Sequence, residues 1–157
     1  DGSMSTAIGF GAVNNRPLFY ITGELSFFYD MNSLSIRHLS KKTRILLINN
    51  HGGAVMYDRP RNTPNEHLPI YLAAGAPTVA KGWVDSLGFK YISATNKEEI
   101  DLGVSILLDE TIDVPVLLEV FTNLSEDRYC IEDYVRSQDQ RSFSEKVGGR
   151  LSKIFKK

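Results

Sequence analysis

The chain has one cysteine, three histidines and a net charge of only −1 at pH 7. Each scarcity removes a class of function. A lone Cys130 cannot build a disulfide framework and suits a reducing compartment, where a free cysteine reads as a small core residue rather than a nucleophile. His38, His51 and His67 show no metal-ligand spacing such as i, i+4, which argues against zinc. A balanced charge gives no field to recruit nucleic acid. No apolar run approaches the ~20 residues that cross a bilayer, and no signal-peptide pattern opens the chain. The expectation is a soluble, cytoplasmic protein. Its 157 residues, 42% hydrophobic, suit one globular core burying roughly 70% of its unfolded surface.

What is present is concentrated between Leu18 and Gly53. Leu18-Phe19-Tyr20-Ile21-Thr22 reads as a buried strand. Gly23-Glu24-Leu25-Ser26 follows directly, and Phe27, Phe28, Met31 and Leu34 are spaced as one face of a helix running to about Leu39. A second strand, Ile45-Leu46-Leu47-Ile48, stops at Asn49-Asn50-His51-Gly52-Gly53. In a parallel sheet, Glu24 and the asparagine pair therefore fall at the carboxyl ends of two strands, where ligands of such sheets bind.

Those residue types suit a divalent cation bridging a diphosphate. Mg²⁺ takes near-octahedral oxygen ligands, one or two of them from protein, with phosphate and water completing the shell. Glu24 offers a carboxylate, Asn50 an amide oxygen and Gly52 a backbone carbonyl. Ser26 stands where an N-cap would stand, which would aim the first helical amides at the diphosphate. The plainer reading is also open: Gly23, Gly52 and Gly53 as turn glycines, and Asn49-Asn50 as an ordinary loop start.

Gly23-Glu24-Leu25, then Asn49-Asn50 after roughly two dozen residues, resembles the thiamin-diphosphate fingerprint of Gly-Asp-Gly followed by Asn-Asn. The wording is nearest to the carboxyl-terminal domain of a menaquinone-pathway synthase family. The matching phrases are Asp1-Gly2-Ser3-Met4-Ser5-Thr6, Gly23-Glu24-Leu25-Ser26-Phe27 with Asp30-Met31-Asn32, Asn49-Asn50-His51-Gly52-Gly53, Lys81-Gly82-Trp83, and Leu118-Glu119-Val120-Phe121-Thr122. The resemblance covers Asp1 to about Tyr134. It implies a three-layer, doubly wound α/β fold, a mainly parallel sheet with helices on both faces. It also implies thiamin diphosphate and Mg²⁺ as cofactors, with Gly23, Glu24, Leu25, Ser26, Asn50, Gly52 and Gly53 around the diphosphate. Glu24, Asn50 and Gly52 would be the metal ligands, and Val55 and Met56 would face substrate. The implied reaction decarboxylates a 2-oxo acid and transfers the carbanion equivalent to an acceptor, within a homo-oligomer. Two departures stand out: Glu24 replaces the family's Asp, and the pyrimidine-binding domain that supplies the activating glutamate has no counterpart here, so no catalytic residue is assigned in this chain. A non-catalytic or regulatory subunit that kept the fold is the alternative.

The remaining segments read as supports. Gly9-Phe10-Gly11 mimics a dinucleotide loop but precedes the first strand, the wrong context; its glycines instead let a helix approach the sheet or cofactor. His51 to Pro69 is a long irregular connection carrying Asp58, Arg59 and Arg61. A helix is expected from Ala76 to Leu87, closed by Gly88. A strand over Phe89–Ser93, a helix opened by Asn96 with Ile100, Val104, Leu107 and Leu108 on one face, and a strand from Pro115 to Phe121 complete the alternation of a parallel α/β sheet. Residues 1–135 thus form one domain, and 136–157 a polar linker and basic amphipathic helix with Val147, Leu151, Ile154 and Phe155 as its stripe. Such a helix suits docking on protein better than a membrane. The opening at Asp1, directly inside a functional phrase, is expected of a truncated chain with an upstream domain.

Overall fold

The computed structural model describes residues 2–58, 71 and 73–138. His67, Arg59, Arg61 and the amphipathic tail lie outside the described residues. Four parallel strands, β1 (Leu18–Gly23), β2 (Thr43–Asn49), β3 (Lys90–Ala94) and β4 (Val116–Phe121), form one sheet in the order β1-β2-β4-β3. Among the described residues the helices are α1 (Ser3–Val13), α2 (Glu24–Asp30), α3 (Lys81–Ser86), α4 (Lys97–Leu107) and α5 (Leu124–Ser137). This is the expected parallel α/β architecture.

The strand order dictates which face each helix covers. β1 to β2 and β2 to β3 advance in one direction across the sheet, whereas β3 to β4 steps back. Parallel crossovers are right-handed, so the returning helix α4 must lie on the opposite face from α2 and α3. The two cores agree. Met4, Ile8, Phe27, Leu34, Ile45, Leu47, Val84 and Leu117 pack together under α1, α2 and α3. Val116, Leu118, Val120 and Leu107 pack with Ile100 and Val104 under α4. β4, central and buried on both faces along Val116–Val120, accounts for its near-continuous apolar run.

Local chemistry fixes the ends of the supporting elements. Asn96 caps α4 by accepting from the Glu99 amide, and the Glu99 carboxylate accepts from the Thr95 amide in return. Gly88, at φ 79°, closes α3: its amide donates to the Asp85 carbonyl and the Phe89 amide to the Val84 carbonyl, the paired bonds of a Schellman cap. Gly11 lies so close to Leu18 that a Cβ would meet its Cδ2 at 2.9 Å, whereas Gly9 faces open space. Only one of the two glycines therefore serves close packing.

Three expectations about elements need correction. The helix after β1 begins at Glu24 rather than Phe27 and yields to a 3-10 turn over Met31–Ser35. The helix expected from Ala76 begins only at Lys81. Upstream of it the backbone is held by side chains instead: Asn49 Nδ2 donates to the Thr78 carbonyl and the Glu119 carboxylate accepts from the Ala80 amide, while Pro77 disfavours helical geometry at Ala76. Leu108, assigned to the buried face of its helix, is 57% exposed because α4 ends at Leu107.

Candidate functional site

The carboxyl ends of β1, β2 and β4 lie level. Gly23 pairs with Ile48, and Asn49 with Phe121. The chain leaves these three tips in different ways, and a cleft of about 670 Å³ opens between the exits. Gly23, Glu24, Leu25 and Ser26 line it from β1 and α2, and Asn50, Gly52, Gly53, Val55 and Met56 from the loop after β2. Every sequence-assigned site residue therefore reaches one cavity.

At β1 the strand passes into α2 without a loop, because Gly23 takes an extended conformation (φ −87°, ψ 163°) and serves as N-cap. Glu24 is thus the first helical residue. Ser26, expected at the N-cap, sits two residues inside the first turn. Gly23 has no side chain to cap the amides that follow, and these are the unpaired donors of a helix start. Glu24 is 4% exposed, yet its Oε1 accepts no hydrogen bond. Burial pushes its carboxyl above the usual range, partly offset by its own amide and by those of Asn50 and Gly52 nearby. These amides approach the carboxylate without closing a bond on Oε1.

At the end of β2 the two asparagines repeat one motif, Asn49 buried and Asn50 lining the cleft. Each side-chain oxygen accepts from the amide two residues on: Asn49 Oδ1 from His51 at 3.1 Å, and Asn50 Oδ1 from Gly52 at 3.2 Å. Each side-chain nitrogen donates to a carboxylate: Asn49 to Glu119 Oε1 at 2.7 Å, and Asn50 to Asp127 Oδ2 at 2.7 Å. The left-handed residue of this turn is His51, at φ 62°, rather than either glycine. Gly52 is closely packed: a Cβ there would stand 3.3 Å from both the Ala73 carbonyl oxygen and Leu124 Cδ2. Val55 and Met56 follow on the 3-10 turn Ala54–Asp58, Val55 being 72% exposed.

No protein-family model matches the chain. Among curated proteins, the 2-succinyl-5-enolpyruvyl-6-hydroxy-3-cyclohexene-1-carboxylate synthase of Phocaeicola vulgatus is 38% identical over 135 residues, covering 85% of this chain and 24% of the relative. The synthase of the same name from Bacteroides fragilis is 37% identical over 135 residues, with the same shares. That of Bacteroides thetaiotaomicron is 36% identical over 142 residues, covering 90% of this chain and 26% of the relative. The chain is homologous to one segment of these synthases. It spans about a quarter of the length of the curated relatives it matches.

Several residues of this synthase-like segment line the cleft without having been assigned from sequence: Tyr29, Thr122, Asp127, Cys130 and Ile131. Thr122 ends the 118–122 stretch that carries the resemblance, but nothing in the sequence sets Asp127 apart from Glu126, both ordinary acids for a helix first turn. Only the crossing of α5 over the β2 loop brings Asp127 to Asn50. Cys130, expected in the core, is exposed at the cleft wall, because α5 turns that side towards the cavity.

The donor set suits a hard cation. A buried carboxylate oxygen without a donor, an amide oxygen and a close-packed glycine backbone stand around the same strand tips. An orphaned buried acceptor costs about 1–3 kcal/mol, and a cation at the carboxylate would remove that cost. Among the described residues, no helix is long and apolar enough to cross a membrane.

Proposed function

We propose that this segment is the diphosphate- and Mg²⁺-binding half of a thiamin-diphosphate-dependent enzyme. The enzyme decarboxylates a 2-oxo acid and transfers the carbanion equivalent to an acceptor. The observation that carries the reading is Glu24: a buried carboxylate with an unpaired oxygen, at a strand tip beside Asn50, in a segment homologous to synthases that make a carbon–carbon bond. Glu24, the Asn50 amide oxygen and the Gly52 carbonyl would hold Mg²⁺. The uncapped amides of Leu25 and Ser26, with the backbone of Gly23 and Gly53, would receive the diphosphate. Val55 and Met56 would meet substrate.

When bound, the cofactor supplies the carbanion stabilisation that amino-acid side chains lack. This chain would bind and orient it, and Leu25, Ile48, Val55, Met56 and Ile131 give the cleft apolar walls. The activating glutamate comes from a pyrimidine-binding domain, in the same full-length polypeptide or a neighbouring subunit of a cytoplasmic homo-oligomer. The longer arm of Glu24 in place of Asp would be absorbed by backbone movement or by a water between carboxylate and metal. An orphaned ligand oxygen also favours this reading over a non-catalytic subunit, in which a buried unpaired acceptor would serve nothing.

The test is calorimetric titration of the full assembly with thiamin diphosphate and Mg²⁺, beside Glu24→Ala and Asn50→Ala. Each variant is expected to weaken Mg²⁺-dependent binding beyond the roughly 10–100-fold that changes outside the metal's own ligands cost. Unchanged affinity in both would remove the metal assignment.

A further inference from the structure

We infer that Asp127 is a positioning residue that fixes which end of the Asn50 side chain faces the cation. The inference rests on the cation-binding reading of the cleft and adds a residue that the motif does not contain.

A side-chain amide is nearly symmetric in shape, and its neighbours decide whether oxygen or nitrogen points a given way. Turned the wrong way, Asn50 would present two N–H donors to the metal and lose its function as a ligand. One side of the choice is weak. The Gly52 amide that meets Asn50 Oδ1 does so at 3.2 Å, a long bond to a neutral donor. The other side is strong. Asp127 Oδ2 accepts from Asn50 Nδ2 at 2.7 Å, a charge-assisted bond that only the nitrogen end can make. Reversal would set an amide oxygen against a carboxylate.

Asp127 is itself held in place. Its Oδ2 also accepts from the Thr122 hydroxyl at 2.7 Å, just past the end of β4. The Thr122 amide in turn donates to the Asn49 carbonyl at 3.1 Å. Asn123 caps α5 by accepting from the amides of Ser125 and Glu126, and the Asp127 amide donates to the Asn123 carbonyl at 2.9 Å. The carboxylate is therefore fixed from a strand end and a capped helix. Metal ligands oriented in this way lose roughly 10–100-fold in affinity when the orienting group is removed.

The experiment uses Mn²⁺ with inorganic diphosphate as the probe, titrated into the full assembly and read by electron paramagnetic resonance. Asp127→Ala should weaken Mn²⁺ binding by about 10–100-fold, whereas Asp127→Asn, which keeps an acceptor for Asn50 Nδ2, should stay within about threefold of the unaltered protein. In an Asn50→Ala background, Asp127→Ala should have no further effect, because its action passes through Asn50. If the two losses instead add, or if Asp127→Asn falls as far as Asp127→Ala, Asp127 acts by charge or by general support and the inference is wrong. If the unaltered assembly binds no Mn²⁺, the cation-binding reading itself falls and this inference with it. Mn²⁺ binding that is unaffected by Asp127→Ala overturns the inference alone.

Discussion

Two buried carboxylates lie near the adjacent asparagines at the end of β2, and their hydrogen bonding sets them apart. Glu119 is fully buried on β4, yet Asn49 Nδ2, the Ala80 amide and the Tyr91 hydroxyl all donate to it, the first and last at 2.7 Å. Burial pushes the Tyr91 phenol up, and its bond to Glu119 adds to the shift. Glu24 is nearly as buried, but its Oε1 has no donor. The first carboxylate is a structural hub, spending its bonds on the backbone before α3 and on β3. The second keeps an acceptor in reserve, as a ligand group must. Burial alone does not distinguish the two; hydrogen-bond satisfaction does.

The same substitution at both positions should separate them most sharply. Glu119→Leu strands Tyr91, the Ala80 amide and part of Asn49, and should cost roughly 3–5 kcal/mol in urea unfolding. Glu24→Leu removes an unsatisfied group and should change the stability of the cation-free chain by no more than about 1 kcal/mol. A comparable loss at both sites would erase the contrast. An effect smaller than that of Glu119→Leu is expected at Gly52. Gly52→Ala forces either the Ala73 carbonyl or Leu124 to give way and should cost about 1–2 kcal/mol by thermal unfolding.

Asp30 offers a third kind of carboxylate, satisfied but close to solvent. The Ser5 hydroxyl and the Ser5 amide donate to it and hold its carboxyl below the usual range. A lowered folded value stabilises above the unfolded value, and that contribution is lost as pH falls through the folded one. The melting temperature of Asp30→Asn should therefore trail the unaltered chain slightly near neutrality. The gap should close under strongly acid conditions; a gap that widened with acid would reverse the sign.

Much of this was legible in the order of residues. The apolar runs at Leu18, Ile45 and Val116 became parallel strands, Asn96 became a helix cap, and Gly88 a helix stop. These features depend on neighbours within a few positions, where periodicity and capping chemistry act. The failures share a cause. Ser26 lost the N-cap because Gly23 allowed the helix to start earlier, and the helix at Ala76 was delayed because Asn49 and Glu119, distant in sequence, captured its backbone. Cys130 and Asp127 were unreadable because their surroundings are set by where α5 crosses the cleft.

The amino-acid order by itself determined the alternating α/β plan and placed an acid, an amide and turn glycines at strand ends, since strand period and turn chemistry are local. Only the tertiary structure decided that Asn49 is tied to a buried Glu119 and Asn50 to Asp127, and that Glu24, also buried, keeps an unpaired oxygen. Those outcomes turn on hydrogen bonds between strands and helices far apart in the chain, and no local pattern encodes them.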